Sequence, residues 1–348
     1  MRSKSRVALG ATTLGVVLAL VGGCTTSSGP KSVSDSSSAS VAASGGGTPQ
    51  AAGGTYYWIS QDSTLPLFVN NDLKALQKAA TRLGVTAKVA GPTGINLSQF
   101  IATISQVCAQ HPKGVIVVGW DPSENEPVNK CIAEGVPVVT DDADLPDSKR
   151  LAFVGTDWTQ IGVAQAKAMI AATGGHGEIA TTSIINADNM KQARAGFEAT
   201  IAGTGLKIVA QSDDGGDRAK AATATSNLLA AHPNLVGIAG FDAESGPGIV
   251  QALKEAGKTG KVHVTAMEAS ESSFFKDVQD GSVDAVLVQK RELFTYYALT
   301  LLVNYNTSGI GVYGLPINIA SNIPESIDTG LLVVDKSNVD SLISKIGA

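Results

Sequence analysis

The runs AQHPKGVIVVGWD (residues 109–121) and AAHPNLVGIAGFD (residues 230–242) are two versions of one pattern, 121 positions apart. Each closes a helical segment at His-Pro, enters an apolar stretch too continuous for a one-sided strand, and ends in an aromatic residue followed by an acid: Trp120-Asp121 and Phe241-Asp242. A strand that is apolar on both faces belongs in a parallel sheet covered by helices. The echo continues downstream. Each copy leads through a helix to a glycine turn, Gly135 or Gly257, and then to a strand ending in threonine and acids, Val139-Thr140-Asp141-Asp142 or Val264-Thr265-Ala266-Met267-Glu268. Two lobes of the same βαβ construction follow.

Working outward, strand-like runs fall at residues 56–60, 87–90, 115–119, 136–140, 151–155, 179–184, 208–211, 236–240, 262–266 and 285–288. Segments with helical spacing separate them, such as Leu73, Leu76, Ala80 and Leu83. The predicted fold class is α/β, with two Rossmann-like lobes, each a parallel sheet flanked by helices. Ligands of open α/β sheets bind beyond the carboxyl ends of the strands. The repeat therefore puts an aromatic–acid pair, Trp120-Asp121 or Phe241-Asp242, and a second acid at the crevice edge of each lobe, facing one another if the lobes close.

The 348 residues carry 26 Lys and Arg against 31 Asp and Glu, and no long basic run, which excludes a nucleic-acid surface built on clustered cations. Arg2, Lys4 and Arg6 precede an apolar stretch that ends in Leu20-Val21-Gly22-Gly23-Cys24. A basic head, a short apolar segment and small residues are the parts of an export signal. The last residues resemble a bacterial lipobox, which predicts cleavage after residue 23 and a lipid anchor on Cys24. An ordinary secretory signal with an incidental cysteine is the other reading. In residues 25–54, 23 of 30 positions are Ser, Gly, Ala or Thr. That composition predicts a flexible tether with a root-mean-square reach of about 30 Å. The expected location is the extracytoplasmic face of the cell membrane. Export places Cys108 and Cys131 where disulfides persist, so a bond between them is expected, with buried free thiols as the alternative.

Five further segments appear in a fixed order: Leu65-Pro66-Leu67-Phe68-Val69, Gly135-Val136-Pro137-Val138-Val139-Thr140, Val154-Gly155-Thr156-Asp157 leading to Gly162, Ala195-Gly196-Phe197, and Leu228-Leu229-Ala230-Ala231-His232-Pro233. On these, from about residue 55 to the end, the chain resembles the type I periplasmic sugar-binding proteins, the ribose-binding family. The resemblance implies lobes of residues 55–155 plus about 290–318 and of residues 156–289 plus about 319–348, joined by three hinge crossovers near 155–157, 289–292 and 318–330. It implies a monomer without cofactor or metal that captures a small polyhydroxylated solute, a sugar or sugar alcohol, and delivers it to ABC permease subunits. Carried over residue by residue, it implies ligand contacts from Asp142, Asp242, Glu268 and Gln289, and a stacking ring from Phe68. Carboxylates and a carboxamide suit adjacent hydroxyls, and an aromatic face suits the C–H side of a polyol. Glu268 also reads as a solvated turn acid, and Phe68 as a core anchor.

The sequence departs from the family at its cations. Ala143 follows the first acid where arginine is common, and Ala193 stands at the second arginine position, with Lys191 and Arg194 as neighbours. Arg194 is a candidate ligand residue, although one residue of displacement turns a helical side chain by about 100°. A site that keeps its acids and loses its arginines would be unusually acidic and open to an amine-bearing solute, the more so if Asp62 points inward. Trp120 and Trp158, each just after a strand, are candidate stacking rings, whereas Trp58 inside a strand reads as core.

Catalysis is the rival class. The sequence has no nucleophile elbow, phosphate loop or Cys-x-x-Cys, and Asp142, Asp144 and Asp147 lack the glycine and final glutamate of a calcium loop. Paired carboxylates would suit a glycosidase. The tether and the resemblance favour binding without turnover, and a receptor feeding a sensor kinase would use the same closure.

Overall fold

In β1 (Thr55–Ile59), Tyr56 and Trp58 face one side of the sheet while Tyr57 and Ile59 face the other, and all four are buried. Two-sided burial explains the unbroken apolar runs. The computed structural model describes residues 53–268, 270–308 and 322–346, so the expected signal, Cys24 and almost all of the tether lie outside the described residues. The first sheet continues with β2 (Thr86–Ala90), β3 (Gly114–Val117), β4 (Val138–Asp142) and β5 (Ala152–Gly155), all parallel. Helices α1 (Leu73–Leu83) and α9 (Phe294–Thr307) cover the Trp58 face, and α2 (Leu97–Cys108) and α3 (Asn125–Ala133) cover the Ile59 face. Cys108 and Cys131 are bonded, with a Cα–Cα distance of 5.3 Å, and staple α2 to α3.

The second sheet repeats the plan with β6 (His176–Ser183), β7 (Gly205–Asp213), β8 (Leu235–Gly240), β9 (His263–Met267) and β10 (Ala285–Gln289). Its strand order, β7-β6-β8-β9-β10, matches β2-β1-β3-β4-β5 of the first. Helices α4 (Trp158–Thr173) and α5 (Asp188–Ile201) lie on one face, while α6 (Arg218–Ala231), α7 (Ser245–Glu255), α8 (Phe275–Asp280) and α10 (Val339–Ile346) complete the lobe. The α4–α5 crossing is close because both helices present glycine. A β-carbon on Gly162 would lie 1.8 Å from the Ala193 carbonyl oxygen, and one on Gly196 would lie 2.2 Å from that of Thr159.

Both sheets gain an edge strand beyond the ten expected runs: β11 (Ser326–Asp328), parallel to β5, and β12 (Leu331–Asp335), antiparallel to β10. Residues 326–328 therefore belong to the first lobe, which corrects the boundary expected at about 318. The reason is local. Ile327 packs against the first core, and the Thr329 N–H donates to the Gly155 carbonyl at 2.8 Å, so the chain cannot leave for the second sheet before Gly330. The Thr156 and Thr329 hydroxyls lie 3.3 Å apart and tie two of the crossovers together.

Candidate functional site

The loops at the carboxyl ends of both sheets enclose a cavity of about 80 Å³, counted by where the centre of a water molecule can go. At roughly 10–15 Å³ per water by that measure, it holds one small solute. Asp142, Asp242, Glu268, Gln289, Phe68, Trp158 and Asp62 all line it. Trp120 and Arg194, also expected there, do not.

The floor is organised by Arg291, a residue the sequence reading missed. It sits in the crossover from β10 to α9, fully enclosed, with Nε and Nη2 donating to Asp72 at 2.9 and 3.2 Å and Nη1 and Nη2 donating to Asp142 at 3.2 and 3.0 Å. Nη1 also donates to Gln289 Oε1 at 3.3 Å and lies 3.8 Å from Glu268 Oε2. The planar guanidinium reaches acids of both lobes at once because its fork presents five N–H groups. Its flat faces carry Phe68 and Phe294, whose ring centroids lie 4.8 and 5.2 Å away. The expectation of a site without a forked cation is thereby corrected, and with it the main ground for an amine-bearing ligand. The available signal was an arginine two residues beyond the expected hinge glutamine, between an apolar strand and an aromatic helix start.

Charge balance at the floor remains tilted toward the acids. Burial pushes Asp72 up to about 7 against the pull of Arg291, and pushes Glu268 up to about 8. Asp141, whose Oδ1 accepts from the Trp58 indole at 3.3 Å, is driven well above the carboxylate range by burial and by its neighbours Asp72 and Asp142. Burial works against the Arg291 cation, but Asp142, Asp72 and Glu268 outweigh it and hold the group well above its usual value. The two crevice acids are aimed by unusual backbone. Asp142 and Glu268 have φ of 62° and 54°, the left-handed region that costs a non-glycine residue energy and that clusters at functional sites. Asp142 is the apex of a three-residue turn in which the Ala143 N–H donates back to the Asp141 carbonyl at 2.7 Å.

Asp242 plays a different part. Its Oδ1 accepts from the Glu244 and Ser245 amides at 3.0 and 2.9 Å, opening α7, while burial and the nearby Asp214 raise it well above the usual range. Its carboxyl also pairs with that of Asp214, whereas Gln61 Oε1, Asn189 Oδ1 and Gln289 Nε2 are buried with no partner among the described residues. These three atoms belong to residues that line the same cavity. Buried polar atoms are normally paired, and an unpaired one costs free energy, so a cluster of them around one cavity points to a hydrogen-bonding ligand.

Phe68 lines the cavity and packs edge-on against Trp58 at 5.9 Å between centroids, the position of a core anchor. Trp158 donates its indole N–H to the Asp142 carbonyl at 2.7 Å while lining the cavity. Glu268 is buried and accepts the Gln289 amide at 2.9 Å, which rules out the solvated-turn reading. Trp120 instead packs into the core beside Phe100, while the preceding Gly119 N–H donates to the Ala143 carbonyl at 2.9 Å. Its carbonyl accepts the Asp188 N–H at 3.1 Å, a direct bond between the lobes. Arg194 lies one turn along α5 beyond Met190, which does line the cavity. Its guanidinium is instead held at the end of β6, donating to Ser183 Oγ and the Ile185 carbonyl, both at 2.8 Å.

Comparison with known proteins places this arrangement. Residues 56–309 match the family described as periplasmic binding protein domain. The D-allose-binding periplasmic protein of Escherichia coli is 27% identical over 249 residues, covering 68% of this chain and 79% of that one. A sugar ABC transporter sugar-binding protein from Bacillus halodurans superposes with a TM-score of 0.71 at 27% identity, over 82% of this chain and 99% of its own. An ABC transporter solute-binding protein from Burkholderia graminis, in complex with D-arabinose, gives 0.74 at 26% identity, over 82% and 96%. With the matched family covering well over half of its length, the chain belongs to the periplasmic binding protein family.

Proposed function

We propose that this protein is the solute-binding lipoprotein of an ABC importer, held outside the membrane by Cys24 and residues 25–54, and that it closes as a monomer on one monosaccharide-sized polyol for delivery to the permease. The observation that carries this reading is the set of unpartnered atoms on residues lining the cavity: Gln61 Oε1 and Asn189 Oδ1 as acceptors and Gln289 Nε2 as donor. A polyol matches such a set because each hydroxyl donates once and accepts twice. Phe68 and Trp158 supply ring surface for its C–H faces. The relatives named for D-allose and solved with D-arabinose support the same ligand class. Binding without turnover is the reading that agrees with the family.

Because groups from both lobes and from the hinge surround the cavity, a bound solute stabilises the closed arrangement by contacts that an open one lacks. The test is isothermal titration and thermal shift of the purified protein against pentoses, hexoses and sugar alcohols. We expect saturable binding and a raised melting temperature with at least one of them. Asn189→Ala removes one of the unpartnered acceptors and should weaken binding by about threefold to tenfold, the worth of one hydrogen bond. Unchanged affinity would remove Asn189 from the site.

A further inference from the structure

The cavity is not polar throughout, and the strand order says where its character changes. From hinge to free edge, the sheets run β11-β5-β4-β3-β1-β2 and β12-β10-β9-β8-β6-β7. Asp142, Glu268 and Gln289 close β4, β9 and β10 and so stand in the hinge half, around Arg291. The far half is framed by the loops after β2 and β7, which bring Ile95 and Gly216, and by Ile184 just after β6.

Those three residues meet. A carbon placed on Gly216 would lie 3.1 Å from Ile95 Cδ1 and 3.1 Å from Ile184 Cδ1, so the two isoleucine tips converge on a bare backbone and form an apolar lip spanning both lobes. Leu65 and Met190 also line the cavity. Two further lining acids are already engaged. Glu244 holds Arg218 at 2.9 Å and accepts from Ser270, and Asp62 Oδ1 holds the Thr64 amide and hydroxyl at 3.0 and 2.8 Å.

We infer that the ligand is a deoxy sugar, or a polyol of like build, whose hydroxyls pair with the polar groups of the cavity and whose methyl or methylene end lies under the Ile95–Ile184 lip. This rests on the proposed sugar-binding function and narrows it. At the lip a ligand group meets the two isoleucine tips and the Gly216 backbone, where a methyl group gains apolar contact and a hydroxyl gains none. Ile95 and Ile184 are then specificity-determining residues.

The experiment is isothermal titration of the purified protein with matched pairs that differ only at carbon 6: D-fucose against D-galactose, L-rhamnose against L-mannose, and 6-deoxy-D-glucose against D-glucose. In the pair that fits, the deoxy member should bind about tenfold tighter or more, the usual scale for discrimination at one apolar contact. Ile95→Ser and Ile184→Ser should erase that preference by weakening the deoxy member while sparing the hydroxylated one. Ile95 is 41% exposed, so its replacement leaves folding intact. Equal or tighter binding of the hydroxylated members overturns the inference. So does an equal loss for both members in the isoleucine variants, because the lip would then serve only to hold the lobes together. A panel in which no sugar, deoxy or not, binds at millimolar concentration overturns the sugar-binding reading itself, an outcome distinct from binding without a deoxy preference.

Discussion

Asp142 and Glu268 occupy matching places in the two lobes, one ending β4 and the other following β9, each in the left-handed region, and each directed at Arg291. The cation compensates part of their burial. With Asp72 and Asp141 also enclosed, the floor holds more carboxyl groups than one guanidinium can balance, so protonation settles part of the difference. The direction of the pH effect follows. Glu268 is raised to about 8, so the folded chain keeps a proton there that the unfolded chain gives up above its ordinary value of 4.5. Where the native state binds more protons, stability falls as pH rises. We therefore expect the ligand-free protein to lose stability relative to its Glu268→Gln variant between about pH 5 and 8, by a few kcal/mol in all, and the difference to level off above that range. Urea midpoints of the two proteins at each pH check this. A difference independent of pH would mean that Glu268 is ionised throughout.

Among the elements, the α4–α5 pair bears most directly on the site, since α4 begins at Trp158 and α5 carries Asn189 and Met190. Their mutual glycines let the backbones approach to a distance that no β-carbon allows. Gly162→Ala should cost about 3 kcal/mol or more, at the upper end for overpacked cores, and should weaken ligand binding as α5 moves away. Denaturant unfolding reads the first effect and titration with the identified sugar the second. A variant as stable as the parent would show that the helices separate freely. On the opposite lobe, the disulfide between α2 and α3 closes a loop 23 residues apart in sequence, worth about 3 kcal/mol in the chain-entropy account.

At the scale of the whole molecule, the lobes meet in three ways: through the hinge, through the ligand cavity, and through the Asp188 to Trp120 backbone bond with the Ile95 to Gly216 contact. Closure and solute capture are therefore one event, and a solute is held to the extent that it binds the closed arrangement better. Attachment is a separate matter. In a bacterial host that processes lipoproteins, Cys24→Ser should move the protein from the membrane pellet to the soluble fraction, or leave it unprocessed and larger. A processed protein that stays in the pellet after this change would exclude Cys24 as its anchor.

The sequence by itself determined the architecture. The doubled HP-strand-aromatic-acid pattern, ten apolar runs and intervening helical spacing specify two parallel α/β lobes, because two-sided burial leaves its mark on every central strand. The repeat put acids at strand carboxyl ends, and the resemblance to the family singled out Asp142, Asp242, Glu268 and Gln289. Edge strand β11 escaped, being three residues long with a single apolar residue, whereas β12 carries a plain apolar run, Leu331-Leu332-Val333-Val334, that the ten expected strands left out. Only the tertiary structure decided which side chains turn inward. Arg291 reaches Asp72 across 219 positions, and Trp120 bends into the core while Trp158 stays at the cavity. Such choices depend on the approach of segments far apart in the chain, and a guanidinium is placed by the carboxylates that surround it in space, which local spacing does not record.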